Sequence, residues 1–374
     1  MRNVYDHHCN VKGLNVMLKI AQKKNKANHE KIGGKRRPQK KDLKVHKTHF
    51  FSDKDIEFSG TLCVGGNLEV RGNLRADQVF CFGAMAVSGN IYARNIVCAV
   101  GIKCEGEIRA ESLRVGFNEE LELNLEMENS WLTFVDDYIA ASIGAHWSDL
   151  IDDETLFELI PPLEDHLSYS AEYAIECKGG LACHDIFVTR GLDVGGCFNS
   201  DDADIWGHLW AGSLVCEGEL YVRDCLDVSG DAYVEGALEV GVWIRCSGNL
   251  TTGGDVRALN LESRNVIAGG QLTIDECIES TGKILSVGPI TAGMYIKAGD
   301  MIASKASIAA GSDYGIFAGL RHPRSAWSDC GYVCSPKMPA HILSGTFHPS
   351  RAKRPWKFSA KEYLPTIVRM SGIN

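Results

Sequence analysis

The stretch LVCEGELYVRDCLDVSGDAYVEGALEVGVWIRCSGNLTTGGDVRA, residues 214–258, decides the fold. Its apolar residues fall six apart, at Leu214, Leu220, Leu226, Ala232, Leu238, Ile244, Leu250 and Val256. Two positions after each stands a second small or apolar residue: Cys216, Val222, Val228, Val234, Val240, Cys246, Thr252 and Ala258. Two further on there is usually a glycine, as at Gly218, Gly230, Gly236, Gly248 and Gly254. On a strand, residues i and i+2 point to one face, so each hexapeptide reads as a very short strand with two side chains inward. The glycine is expected to bend the chain at a corner through backbone angles that other residues avoid. Three such edges close a triangle of 18 residues. Stacked triangles then pair every strand with the one above and the one below. A helical period of 3.6 does not produce a strict six-residue repeat.

The same unit extends outward in both directions. Leu74, Ile91 and Ile108 are 17 apart, and each is followed two residues on by Ala76, Ala93 or Ala110. Phe80/Phe82, Met85/Val87, Val97/Ala99 and Ile102/Cys104 are the expected inward pairs on the remaining edges. The pattern resumes at Ile175/Cys177, Leu181/Cys183, Ile186/Val188, Leu192/Val194 and Leu209/Ala211. It continues through Leu272/Ile274, Ile302/Ser304 and Ile308/Ala310. The expected fold is an all-β, three-sided parallel β-solenoid of about twelve turns of 17–18 residues, roughly 55 Å long at ~4.8 Å per stacked strand.

Charge divides the chain into zones. Residues 1–50 carry 14 Lys and Arg against 3 Asp and Glu, and residues 321–374 carry 9 against 2. The net charge of −9 therefore conceals a strongly acidic middle between basic ends. Within that middle, residues 117–170 hold 14 Asp and Glu and not one Lys or Arg. The organisation read from these shifts is a basic region at 1–50, a first solenoid segment at 51–116, an acidic insertion at 117–170, a second solenoid segment at 171–320 and a basic, aromatic cap at 321–374. An amphipathic helix is expected within residues 11–28, ahead of the basic run Lys35 to Lys41. A second helix is expected from Ser148, with Pro161 and Pro162 ending it.

The Gly-x-[Leu/Ile]-x-[Ala/Val] units resemble those of the bactofilin family, bacterial proteins that polymerise through a three-sided β-helix. The resemblance covers about 200 residues and implies a right-handed coil and a self-assembling scaffold. Bactofilins have an uninterrupted core with bare ends. This chain has the insertion, and a C-terminal region bearing Trp327, Tyr332, Trp356, Phe358 and Tyr363, which reads as a cap. Because an open solenoid end is an unpaired strand edge, capping predicts a monomer or small oligomer.

The sequence offers little chemistry. Cys330, Cys334, His341 and His348 match no common zinc spacing, and no Gly-x-Ser-x-Gly elbow or phosphate loop is present. Inward cysteines such as Cys183, Cys216 and Cys246 read as small core residues, reduced in a long chain without a secretory signal. His184 and His208 occupy turns where a hexapeptide-type acyltransferase would place its base. The basic arm lacks interleaved aromatic residues, which disfavours nucleic acid, and no apolar run is long enough for a membrane span. The expectation is a cytoplasmic protein without enzymatic activity, metal or cofactor. It binds a basic protein partner through Asp136, Asp137, Asp152, Asp153, Glu154 and Glu158, as a bacterial inhibitor or immunity-type protein does. A self-assembling scaffold and an acyltransferase are the alternatives.

Overall fold

Strands this short gain stability only by stacking, so the ladder of backbone pairings defines the architecture. The computed structural model of the 374-residue chain describes residues 43–46, 49–81, 83–116 and 173–349. All its ladders are parallel and fall into three faces. On the first, Phe50, Leu68, Met85, Ile102, Ile175, Leu192, Leu209, Leu226, Ile244, Leu261, Ile278, Ile296, Ile316 and Ile342 lie one above another. The second stacks Ile56 on Leu74 and continues through Leu214, Ala232 and Leu250 to Ile302, Val333 and Phe347. The third begins with the strand Leu43–His46 and runs from Leu62 and Val79 through Leu220, Leu238 and Val256 to Ile308. Successive hexapeptides of the 214–258 stretch thus visit the second, third and first faces in turn.

The coil is a parallel β-solenoid with 17- and 18-residue turns, fourteen rungs deep on its first two faces. It is longer than the twelve turns expected. Strands Tyr332–Cys334, Ile342–Ser344 and Thr346–Phe347 still stack in it, separated by longer excursions that blur the six-residue spacing. In the largest of these, the Trp327 indole N–H donates to the Gly319 and His322 carbonyls at 3.1 and 3.2 Å.

Two inward pairs differ from expectation by one residue. Val79 and Cys81 point inward instead of Phe80, whose expected partner Phe82 lies outside the described residues, and Ile96 and Cys98 point inward instead of Val97 and Ala99. Both parities are apolar in these two strands, so alternation alone left the register open. Stacking on Leu62 below and Leu113 above resolves it.

The corner glycines have a different cause from the one expected. Of those in the turns, only Gly116, Gly319 and Gly345 have backbone angles in the left-handed region. Most of the others are required by close approach. A Cβ on Gly89 would lie 2.6 Å from Asn73 Oδ1 and 2.7 Å from the Gly72 carbonyl. The Asn73 amide is there because its oxygen accepts the Asn90 N–H at 2.9 Å. Asp55 does the same for Asn73 at 2.8 Å, and Asn90 for Glu107 at 2.9 Å. Equivalent Asx-to-backbone bonds join Asp231 to Asn249, and Asn265 to Lys283. These corners pair an Asx side chain from one turn with a side-chain-free residue in the next, whereas at Gly241, Gly253 and Gly293 the close atom is a backbone carbonyl one turn below.

The cysteines take part in the same corners. Sγ of Cys104, Cys177 and Cys246 lies 3.2–3.3 Å from the carbonyls of Gly89, Gly106 and Gly230. One rung beyond Cys246, Ser263 donates to the Gly248 carbonyl at 3.1 Å, and Ser304 to Gly288 at 2.8 Å. Cysteine and serine are alternative small donors at one position. Burial pushes the Cys216 and Cys246 thiols up to about 11, so they remain protonated at neutral pH. All described cysteines are free thiols.

Candidate interaction surface

The three ladders show how the insertion is attached. Ile102 stacks on Ile175, Ile108 on Leu181 and Leu113 on Ile186, each pair 73 positions apart where an ordinary turn takes 17 or 18. In an ordinary turn Ala99, Val100 and Gly101 join the third face to the first. At the insertion, Gly116 leaves the coil, and Tyr173 and Ala174 re-enter it. Gly116 has φ +93°, which suits glycine, and the Thr189 hydroxyl donates to its carbonyl. Ala174 is buried in the core. The exit and return points therefore sit side by side in an otherwise regular turn.

The six carboxylates expected to form the partner surface, Asp136, Asp137, Asp152, Asp153, Glu154 and Glu158, lie outside the described residues. So do the expected helices, the basic run at 35–41, and Trp356, Phe358 and Tyr363.

What the structure does show beside the exit point at Gly116 is an outward row on the third face that the sequence reading missed. Arg114, Phe187, Asp204 and Tyr221 occupy equivalent positions on four successive rungs. Arg114 is ion-paired with Asp185. The Phe187 ring meets Trp206 edge-on at 5.4 Å, and the Arg223 guanidinium lies 5.9 Å from the Trp206 ring centroid. Burial pushes the Asp204 carboxyl up to about 6, against the opposing pull of the Trp206 hydrogen bond and Arg114. On the first face, Glu176 and Asp193 are stacked, and Asp193 is raised first by burial and then by Glu176. Carboxylates held beside aromatic rings suit a cationic side chain, which could neutralise the one and pack on the other. The available signal was aromatic residues, Phe187 and Tyr221, at the middle position of units whose flanking residues point inward.

The residues weighed for catalysis and metal binding are dispersed. His184 Nδ1 lies 3.0 Å from Asp201 Oδ2, and His208 Nε2 lies 3.0 Å from Asp227 Oδ2. Cys330 is exposed and Cys334 buried, while His348 meets the Tyr332 ring edge-on at 5.7 Å. Among the described residues no three His, Cys, Asp or Glu side chains gather as a metal centre requires. No described helix is long and apolar enough to cross a membrane. No family model, curated protein or solved structure matches the chain. The repeat fold is that of a β-solenoid, and nothing in these comparisons ties it to the bactofilin family in particular.

Proposed function

We propose that this chain is a non-enzymatic, protein-binding solenoid that presents its acidic insertion to a basic partner, in the manner of an inhibitor or immunity-type protein. One observation carries the reading: stacking stays in register on all three faces across the insertion. A segment that the coil's ladders bypass is free to serve recognition. The carboxylates and aromatic rings of Phe187, Asp204, Trp206 and Tyr221 beside the exit point extend the same chemistry onto the coil. Opposite charge across an interface accelerates capture and selects partners.

The test is excision of residues 117–172. This joins Gly116 to Tyr173 and restores a 17-residue turn from Ile102 to Ile175. The shortened chain is expected to keep its β-sheet circular dichroism and cooperative melting. It should lose the partner that the intact chain retains from extracts of its native host. Converting Asp136, Asp137, Asp152, Asp153 and Glu154 to amides should weaken that binding too, most strongly at low salt, where exposed charges are least screened. Undiminished binding by both variants, with the coil intact, overturns the reading. Filaments formed by the intact chain would favour the self-assembling scaffold, and turnover of an acyl donor the acyltransferase.

A further inference from the structure

Strand alternation turns one residue of each rung outward, and on the second face those residues change character along the coil. The outward row begins with Glu57, Arg75, Tyr92 and Arg109; the three charged members are exposed. From the seventh rung it becomes Val215, Tyr233, Thr251, Ile267, Leu285, Ala303 and Cys334. These side chains point away from the core, yet Val215 is 2%, Tyr233 4%, Thr251 3% and Ala303 0% exposed. Every described strand belongs to one of the coil's own ladders, so no described strand lies over this row.

We propose that the C-terminal segment of this same chain, residues 350–374, seats along that row. The described chain reaches Pro349 directly after Thr346–Phe347, which stacks on Tyr332–Cys334 and so on the row's last rung. The segment starts at one end of the surface it covers. Seven rungs span about 29 Å at ~4.8 Å per step. The remaining 25 residues reach about 37 Å even at the tightest common rise of ~1.5 Å per residue. Their apolar content matches the row: Trp356, Phe358, Leu364, Ile367, Val368 and Ile373. Their charge matches its edges. The segment has six Lys and Arg against one Glu, while exposed Glu217 and Glu235 flank Tyr233 closely enough to raise its phenol further, after burial. With this face occupied, a protein partner is left the first and third.

The direct test places a photo-crosslinking phenylalanine analogue at Tyr233 in the full chain, a near-isosteric change in the middle of the row. The expected product is an intramolecular crosslink to peptides from residues 350–374. A crosslink to residues 117–172 or 1–42, or between two chains, overturns the proposal by naming another occupant. A companion measurement uses Thr251→Cys and alkylation in native buffer, with exposed Cys330 as the reactive standard and buried Cys216 and Cys246 as reporters of an intact coil. Cys at position 251 should be protected in the full chain. Adding Trp356→Asp and Ile367→Asp should raise its labelling roughly a hundredfold, because labelling follows the open population. Rapid labelling at 251 in the otherwise unaltered chain, without any crosslink from 233, means an open row and also overturns the proposal.

Discussion

At the scale of single residues, the coil separates positions that look alike in sequence. Leu226 is fully buried between Leu209 and Ile244 on the first face, whereas Glu239 is exposed on the third. Leu226→Asp buries an unpaired carboxylate and should cost several kcal/mol, roughly a domain's whole margin. Glu239→Asp should shift a urea midpoint hardly at all, and equal tolerance at the two sites would contradict the register. Gly89→Ala tests the corner mechanism. Its cost of about 1–3 kcal/mol is expected from overlap with Asn73 and the Gly72 carbonyl, in the range of other overpacking changes. Asp204 gives a pH signature. Its folded-state pKa of about 6 exceeds the ordinary value, so the unfolded chain releases this proton first. Stability from this group therefore falls as pH rises from about 4 to 6, by on the order of 2–3 kcal/mol in all. Asp204→Asn should flatten that fall and leave the variant more stable than the parent at pH 7, measured by denaturation at pH 4.5 and 7.

At the scale of strands and corners, inward residues were legible because two constraints act on them together, strand alternation and vertical stacking. Leu214 to Val256 satisfied both in sequence. Where alternation failed to discriminate, at Val79-Phe80 and Ile96-Val97, stacking could not be consulted without the third dimension. Outward residues carry only the weaker constraint of solvent exposure, which is why the row of Phe187, Asp204 and Tyr221 and the row of Val215 to Cys334 went unseen. Corner chemistry was half legible: glycine recurs, but its reason lies in an Asx side chain or a backbone carbonyl one turn away. A stack coupled only to nearest neighbours should also fray from its ends. Ile342, the inward residue of the last rung on the first face, is only partly buried, whereas Leu226 is wholly buried. Amide hydrogen exchange should accordingly be slowest across 214–258 and faster across 342–347. Uniform protection from end to end would mean that the coil opens as one cooperative unit.

At the scale of the whole chain, the balance between solubility and self-association depends on the solenoid's ends. A parallel stack presents unpaired N–H and C=O groups at its first and last rungs, a surface to which another copy could add. On the third face the ladder stops at Ile308–Ala309, whereas the first two faces continue through Ile342–Ser344 and Thr346–Phe347. The end of the stack is therefore uneven. The excursion carrying Trp327, anchored on the Gly319 and His322 carbonyls, separates its last rungs. A flat second copy would meet this stepped end on only part of its edge. The net charge of −9 adds repulsion between copies. The intact chain is thus expected to remain a monomer or small oligomer over a wide concentration range in light scattering. Truncation after Ala309 removes the uneven rungs and leaves the Ile296, Ile302 and Ile308 strands as a level three-sided edge close to the cut. That variant should aggregate or form fibres, and more readily in high salt, where charge repulsion is screened. Concentration-dependent filaments from the intact chain, equal to those of the truncated one, would show that the stepped end does not protect it.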